Sequence, residues 1–478
     1  MRKLKLFLGN FLIYGLSGIL SGAIPLFMLP IITRLLPDST YYGLSDMCNT
    51  IVSFAGALAV LGMYDSMYRL FFEKEDKNYR KNLCSTVLVF NLLVSLLVCL
   101  LLIVMKNFLS EKFLGGRQYV YLIYIVAVTT LFQSVNSIVS APTRMQNKRR
   151  VYFIMNITRP FFLYGIALLM LLHGWYVTAL PIATCAVACA ELLVFGILNH
   201  EWFDLRRFER RYLKPLLYMA VPLLPNFLIY WVFNSCDKVM ITNMLGMTAT
   251  GVYSVGSKLG HASQLIYTAF VGGWQYFAFS TMKEGDQVKT NSMVFEYLGV
   301  ISFGAGILVC AGSHWLFQLL FTENYADGYI TAPYLFLAPL LQMLFQIAGN
   351  QFLVIKKTWP NMLILFSGAV SNIILNLWLI PILGIEGAAI ATLAGYIVSD
   401  VICIIVLRSM KLVEISGRFG MALSGTALYF VVWRLRLSKN TIIAFLLAFG
   451  LMVYYLYLYR KDIIILVKAI TMKNDSKI

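Results

Sequence analysis

Apolar residues run along this chain in long unbroken blocks, unlike the alternating or three-in-seven patterns of a soluble strand or helix. A helix that crosses a membrane needs about 20 mostly apolar residues, and the uncharged stretches 83–105, 361–385 and 441–459 reach that length. Short charged or Pro/Gly-bearing breaks separate such blocks. The pattern predicts spans near 7–34, 43–68, 83–105, 118–140, 151–172, 176–199, 215–245, 250–280, 293–321, 331–355, 361–381, 385–407, 417–433 and 440–459. The expected fold class is therefore an all-α integral membrane protein of about 14 transmembrane helices.

The second six blocks echo the first. TRLLPDSTYYGLS (33–45) lies over TNMLGMTATGVYS (242–254), so that Thr33, Leu36 and Ser45 fall on Thr242, Leu245 and Ser254, 209 residues later. At the same offset Lys148 falls on Lys357 and Glu191 on Asp400. Repeats of six spans, an even number, run the same way through the membrane and are related by an axis along its normal, with a cavity between them. This gives a six-helix bundle in 1–200, a second in 201–407, and an appended pair of helices, 13 and 14, with a cytoplasmic tail in 408–478. Two like halves around a midplane cavity are a transporter plan worked by alternating access.

Polar positions inside the blocks mark where that cavity lies, because an ionisable group in a span costs at least about 2.5–3.5 kcal/mol unless it meets a partner or water. Ser254, Lys258, His261, Gln264 and Thr268 recur every three or four residues in span 8, one face of a regular helix. Asn226, Tyr230, Asn234 and Asp237 form a similar stripe in span 7, after Pro222 and Pro225. Asn10, Tyr14, Ser17 and Ser21 in span 1, and Asp46, Asn49 and Ser53 in span 2, do the same. Spans 1, 2, 7 and 8 are thus expected to line the cavity.

Each charged position also has a bland reading. Asp237 and Lys258 flank the turn at 247–249 symmetrically and can neutralise each other, which would leave Lys238 as the unpaired cation. Arg159 and Glu191 lie at similar depth on consecutive spans and suit an ion pair, structural or working. Arg34 either reaches the cavity past Pro25 and Pro30 or snorkels to the interface. Glu191 and Asp400, at one depth by the repeat, either exchange H⁺ or Na⁺ or bond neighbouring helices, and Asp65 is a third such carboxylate. His173, His200 and His314 sit near span ends, where an interfacial role is expected.

Composition agrees: 60% of the 478 residues are hydrophobic and 13% charged, with mean hydropathy +0.76, more apolar than a water-facing surface tolerates. A net charge of +17 would suggest nucleic acid as partner if it were clustered on one soluble face. Most of the 39 Lys and Arg fall instead in alternate loops, which the positive-inside rule explains with both termini cytoplasmic and no nucleic acid involved. The basic N-terminus precedes an apolar run too long for a signal-peptide core, so it reads as the first span. The eight Cys form no CxxC pair, so neither a metal site nor a cofactor is expected. GVYSVGSK (251–258) only approaches a phosphate loop, and HExxH and GxSxG are absent, so the chain reads as a transporter and not an enzyme.

Three segments carry a family resemblance: PLFMLPIITRLLPDSTYYGLSD (25–46), DKVMITNMLGMTATGVYSVGSKLG (237–260) and GIEGAAIATLAGYIVSDVI (384–402). They resemble polysaccharide-biosynthesis, Wzx-type flippases of the multidrug/oligosaccharidyl-lipid/polysaccharide (MOP) exporter superfamily, whose fold is MATE- and MurJ-like. The resemblance implies transfer of an undecaprenyl-diphosphate-linked oligosaccharide from the cytoplasmic to the outer leaflet of the bacterial cytoplasmic membrane, for O-antigen, capsule or exopolysaccharide assembly. It implies a cationic cavity, for which Arg34, Lys238 and Lys258 are the choices. His261, Asn49, Asn234 and Gln264 would supply polar lining, and spans 13 and 14 would flank a groove for the prenyl tail. Membrane lipids, an H⁺ or Na⁺ counter-ion, a polysaccharide polymerase and other assembly proteins are the implied partners. An inside-negative potential is worth about 2.3 kcal/mol per charge per 100 mV, which favours export of a diphosphate headgroup without ATP. Alternatives are a multidrug or cation antiporter of the same superfamily, a peptidoglycan-precursor flippase, and, least expected, a membrane glycan polymerase or ligase.

Overall fold

A computed structural model describes residues 2–280, 285–355, 357 and 359–464, with side chains from residue 18 onward except at some positions within 272–280. The polar positions Asn10, Tyr14 and Ser17, and the tail beyond 464, lie outside the described residues or side chains. All regular structure among the described residues is helical. In chain order the α-helices are α1 Arg2–Leu35, α2 Ser39–Val60, α3 Met63–Phe71, α4 Lys77–Val104, α5 Lys106–Phe113, α6 Val120–Met145, α7 Arg149–Leu172, α8 Ala179–Asn199, α9 Leu213–Ala220 and α10 Leu224–Trp231. They continue with α11 Asp237–Leu245, α12 Met247–Gly260, α13 Gln264–Ser280, α14 Gln287–Leu320, α15 Ala332–Val354, α16 Trp359–Leu383, α17 Ile385–Ser409, α18 Gly417–Val432 and α19 Thr441–Leu458.

Among the described residues, twelve helical segments are long and apolar enough to cross a membrane. They correspond to twelve of the expected fourteen spans. The remaining two, spans 8 and 13, are helical as α12–α13 and α18, but α12 and α13 are separated by a short 3-10 turn at His261–Ser263 and α18 runs only 16 residues. The expected outer loop at 106–117 also holds a short helix, α5.

Span 2 is shorter than expected. Leu61 and Gly62 take positive φ, 51° and 70°, and end α2, so that Asp65 falls in the separate helix α3. A Cβ on Gly62 would lie 2.7 Å from the Ala220 carbonyl oxygen, so both conformation and space require glycine. Gly62→Ala is expected to cost about 1–2 kcal/mol, read as a lowered Tm in detergent; an unaltered Tm would show that the turn relaxes freely. At other ends side chains cap the free amides: Asp38 Oδ1 accepts from Thr40 N at 2.7 Å, and Asp76 accepts from Asn78 N and Tyr79 N.

By contact the chain forms two compact units, Met1–Val255 with Ala369–Gly395, and Gly256–Gly368 with Tyr396–Ile478. Contact thus assigns span 7 and residues 369–395 to the first unit, whereas the sequence repeat assigns them to the second half. In the first unit α6 packs against α2, α4 and α8, and one apolar cluster joins Leu44, Met47 and Ile51 of α2 to Leu102 of α4 and Leu122, Ile123 and Val126 of α6. A second cluster joins Met63, Met67 and Phe71 of α3 to Leu83, Val87, Ile138 and Trp202. In the second unit α15 is the innermost helix, packed on α14 and α13, with 83% of its apolar window buried against 17% for α19. Lipid is as apolar as these side chains, so close packing and internal hydrogen bonds hold such helices together. Small residues serve that packing: the positions of Cβ atoms on Gly256 and Gly260 are already filled by the Gly328, Thr331, Ala332 and Leu335 region.

Candidate functional site

The segment 210–245 is not one regular α-helix. Pro222 and Pro225 lack amide donors, and the chain passes through a 3-10 turn at Val221–Leu223 before α10. It then widens into a π-turn at Val232–Cys236 before α11. A π-turn inserts one residue into the helical register, so the side chains beyond it rotate relative to those before. The stripe expected on this helix is accordingly broken: Asn234 is exposed, its Nδ2 donating to Tyr230 O at 2.7 Å, while Asp237 is buried.

The same rotation decides the charges. Lys238, the unpaired cation if Asp237 and Lys258 neutralise each other, is only 11% exposed, with Nζ 2.7 Å from Asp46 Oδ2 on α2. Asp237 accepts from the Lys238 amide at 2.8 Å and from the Tyr253 hydroxyl of α12. Within this unit Asp237 is therefore satisfied by a tyrosine.

The cluster extends further by neutral groups. The Tyr253 hydroxyl also meets the Thr392 hydroxyl, which accepts from Asn372 Nδ2 at 3.1 Å, and Asn372 Oδ1 accepts from Asn376 Nδ2 at 3.2 Å. Asn372, Asn376 and Thr392 were not singled out from sequence. The signal was present, since Asn372 and Asn376 stand one helical turn apart in an otherwise apolar block and such groups seek one another. Asp46 pairs with the Lys238 ammonium, the Asp237 carboxylate stands beside them, and the rest of the network is hydroxyls and amides.

Beside this network the starts of α2 and α12 pack backbone to backbone. Ser39 Oγ donates to Thr248 O at 3.0 Å, and the Thr40 and Thr248 hydroxyls stand 3.0 Å apart. A Cβ on Gly43 would lie 2.7 Å from Met247 O, and one on Gly251 would overlap the Ser39 carbonyl. Trp231 Nε1 donates to Thr50 O at 3.4 Å and its ring lies 4.8 Å from that of Phe54, so α10 also rests on α2.

The other expected positions fall as follows. Arg34 is exposed in the last turn of α1, and Asn49 is exposed on α2 beside the buried Cys48 and Thr50. Lys258 is exposed near the end of α12, although Ser254 one turn earlier is fully buried. His261 and Gln264 are half-buried around the 3-10 turn, with His261 Nδ1 2.8 Å from Ser257 O. Arg159 Nε lies 3.6 Å from Glu191 Oε1. The Arg159 side chain is 46% exposed, so this pair is worth at most about 1 kcal/mol, and Arg159→Met is expected to leave Tm within a few degrees of the parent; a large fall would make the pair a structural keystone. Asp65 is exposed in the first turn of α3. Asp400 is buried on α17.

No curated protein sequence matches the chain. Solved structures share its fold: a lipid II flippase MurJ in an inward closed conformation has a TM-score of 0.64 at 13% identity, covering 96% of this chain and 99% of that one. A MATE transporter of Vibrio cholerae, VcmN in a mutant form, has a TM-score of 0.60 at 14% identity, covering 86% and 98%. A multidrug resistance MATE family transporter of the MOP superfamily, facing inward, has a TM-score of 0.57 at 13% identity, covering 83% and 98%. The family model described as polysaccharide biosynthesis protein matches residues 31–329, the segment that holds α2, the irregular span 7, the Asp46–Lys238 pair and α12. With well over half of its length matched, the chain belongs to this polysaccharide biosynthesis family, and its fold is the one seen in the MurJ flippase and in MATE transporters.

Proposed function

We propose that this protein carries an undecaprenyl-diphosphate-linked oligosaccharide from the cytoplasmic to the outer leaflet of a bacterial cytoplasmic membrane by alternating access, for O-antigen, capsule or exopolysaccharide assembly. The observation that carries the reading is the match to a polysaccharide-biosynthesis family over residues 31–329 in a chain with a transporter fold. A lipid-linked glycan suits both halves of that statement, because its headgroup is polar and its tail stays in lipid. The distribution of Lys and Arg supports cytoplasmic termini, and the division into six-helix halves at 200 with helices 13 and 14 appended from 408 fits the repeat.

Arg34 and Lys258 are the cations assigned to grip the diphosphate, with Asn49, Asn234, His261 and Gln264 toward the sugar. Lys238 contributes as half of an ion pair and meets substrate only if Asp46 releases it. The carboxylates Glu191, Asp237 and Asp400 are the candidates to carry an H⁺ or Na⁺ counter-ion, while Asp65 lies outside the spans. A polymerase and other assembly proteins would receive the product.

Reconstituted protein should move a fluorescent undecaprenyl-diphosphate glycan between leaflets. A lost hydrogen bond to a charged group costs about 1.5–3 kcal/mol, so Lys258→Ala and Arg34→Ala are each expected to slow this by about tenfold or more with Tm unchanged. Parent-like rates in both variants would remove these side chains from the substrate path, and absence of movement by the parent would sink the function itself.

A further inference from the structure

The repeat places Glu191 and Asp400 at equivalent positions, and the two differ in their surroundings. Glu191 is held on both sides, Oε1 by Arg159 and Oε2 by Asn136 Nδ2 at 3.4 Å. Asp400 is 7% exposed, and neither of its carboxylate oxygens has a hydrogen-bond partner. The other buried carboxylates among the described residues are engaged: Asp46 by Lys238, Asp237 by Tyr253, Glu296 by the Ser416 amide and hydroxyl, and Glu386 as well.

A bare ionised carboxylate buried in a span is costly, whereas the neutral acid removes most of that cost. Among the described residues no charged side chain pairs with Asp400, and the buried thiol of Cys403 stands one turn along the same helix. The adjoining helix α16 meets this part of α17 through Ser399 Oγ and the Ile364 carbonyl, a neutral contact. A hard cation such as Na⁺ needs several oxygen ligands, and among the described residues no hydroxyl or side-chain amide hydrogen-bonds Asp400 to mark such a ligand shell.

We propose that Asp400 is a proton-binding site, occupied as the neutral acid in this conformation and emptied when rearrangement of the bundle brings water to it. On release the acid O–H bond breaks, the proton passes to water and the carboxylate remains. The inference deepens the transport reading by naming H⁺ as the coupling ion, and rests on that reading only for its transport consequence.

Infrared spectra of the full chain in nanodiscs, in Na⁺-free buffer at neutral pH, test the site without substrate. The parent is expected to show the carbonyl stretch of a buried carboxylic acid, shifted in D₂O, that Asp400→Asn lacks and Asp400→Glu moves. Identical carboxylic-acid bands in parent and both variants would overturn the site, and so would loss of the band on adding Na⁺ at constant pH. In proteoliposomes an imposed proton gradient is expected to change the parent's transport of the fluorescent lipid-linked probe severalfold and to leave Asp400→Asn unaffected. Equal responses in parent and variant would overturn the coupling while the band stands. A parent with the band but no transport of the probe would overturn the glycan reading instead.

Discussion

Oxidising a Thr40→Cys/Thr248→Cys variant is expected to arrest transport, by about tenfold or more, and reducing it to restore the rate, if the proposed alternating access works by separating the packed starts of α2 and α12. A disulfide needs Cβ atoms about 3.5–4.5 Å apart, and two hydroxyls 3.0 Å apart bring their Cβ atoms near that range. The contact has little slack, since Gly43 and Gly251 already let backbone touch backbone. The eight native cysteines are free, so oxidised parent protein is the control. Full activity in a chain shown to be cross-linked would mean that this contact stays closed throughout the cycle.

Removing one member of the Asp46–Lys238 pair is the second large effect. The two side chains are 5% and 11% exposed, and stripping a buried pair of one partner costs about 3–5 kcal/mol because the other charge is left alone. Lys238→Ala and Asp46→Ala should each therefore lower Tm markedly. Replacing both at once, Asp46→Asn with Lys238→Met, removes both charges of the pair and should recover part of that stability, Asp237 keeping its bond from Tyr253 but losing the neighbouring ammonium. Transport by the stable double variant then separates two roles: a parent-like rate makes the pair structural, and a rate about tenfold lower or worse makes it part of the path. Single variants as stable as the parent would show that water reaches the pair and that it is not buried in the working protein.

Why some of this was readable from sequence and some was not follows from helix geometry. Span positions came from runs of apolar residues, which depend on composition and length alone. Contacts across the bundle depend on angular phase, and phase is lost wherever the helix changes pitch. The π-turn at Val232–Cys236 turned Asp237 inward and left Asn234 outside, so a stripe drawn at 100° per residue failed after it. Gly62 cut α3 from α2 and moved Asp65 out of the span it was assigned to. The Arg159–Glu191 contact was accessible because consecutive spans fix relative depth without any need for phase. The Asn372–Thr392–Tyr253 chain was missed since its members lie in segments far apart in sequence.

Ser39 and Thr248, which bond to one another, stand 209 residues apart, the offset of the repeat expected from the sequence. If the two segments are copies, a residue that touches its own equivalent lies on the axis relating them. Had the ancestor been a dimer of identical six-helix chains, any change here would have struck both faces of the joint together. In a fused chain each face can drift alone: the residue 209 positions before Gly251 is the bulky, buried Tyr42. The two ends of one seam can now be tuned by separate substitutions, something a symmetric homodimer could not do.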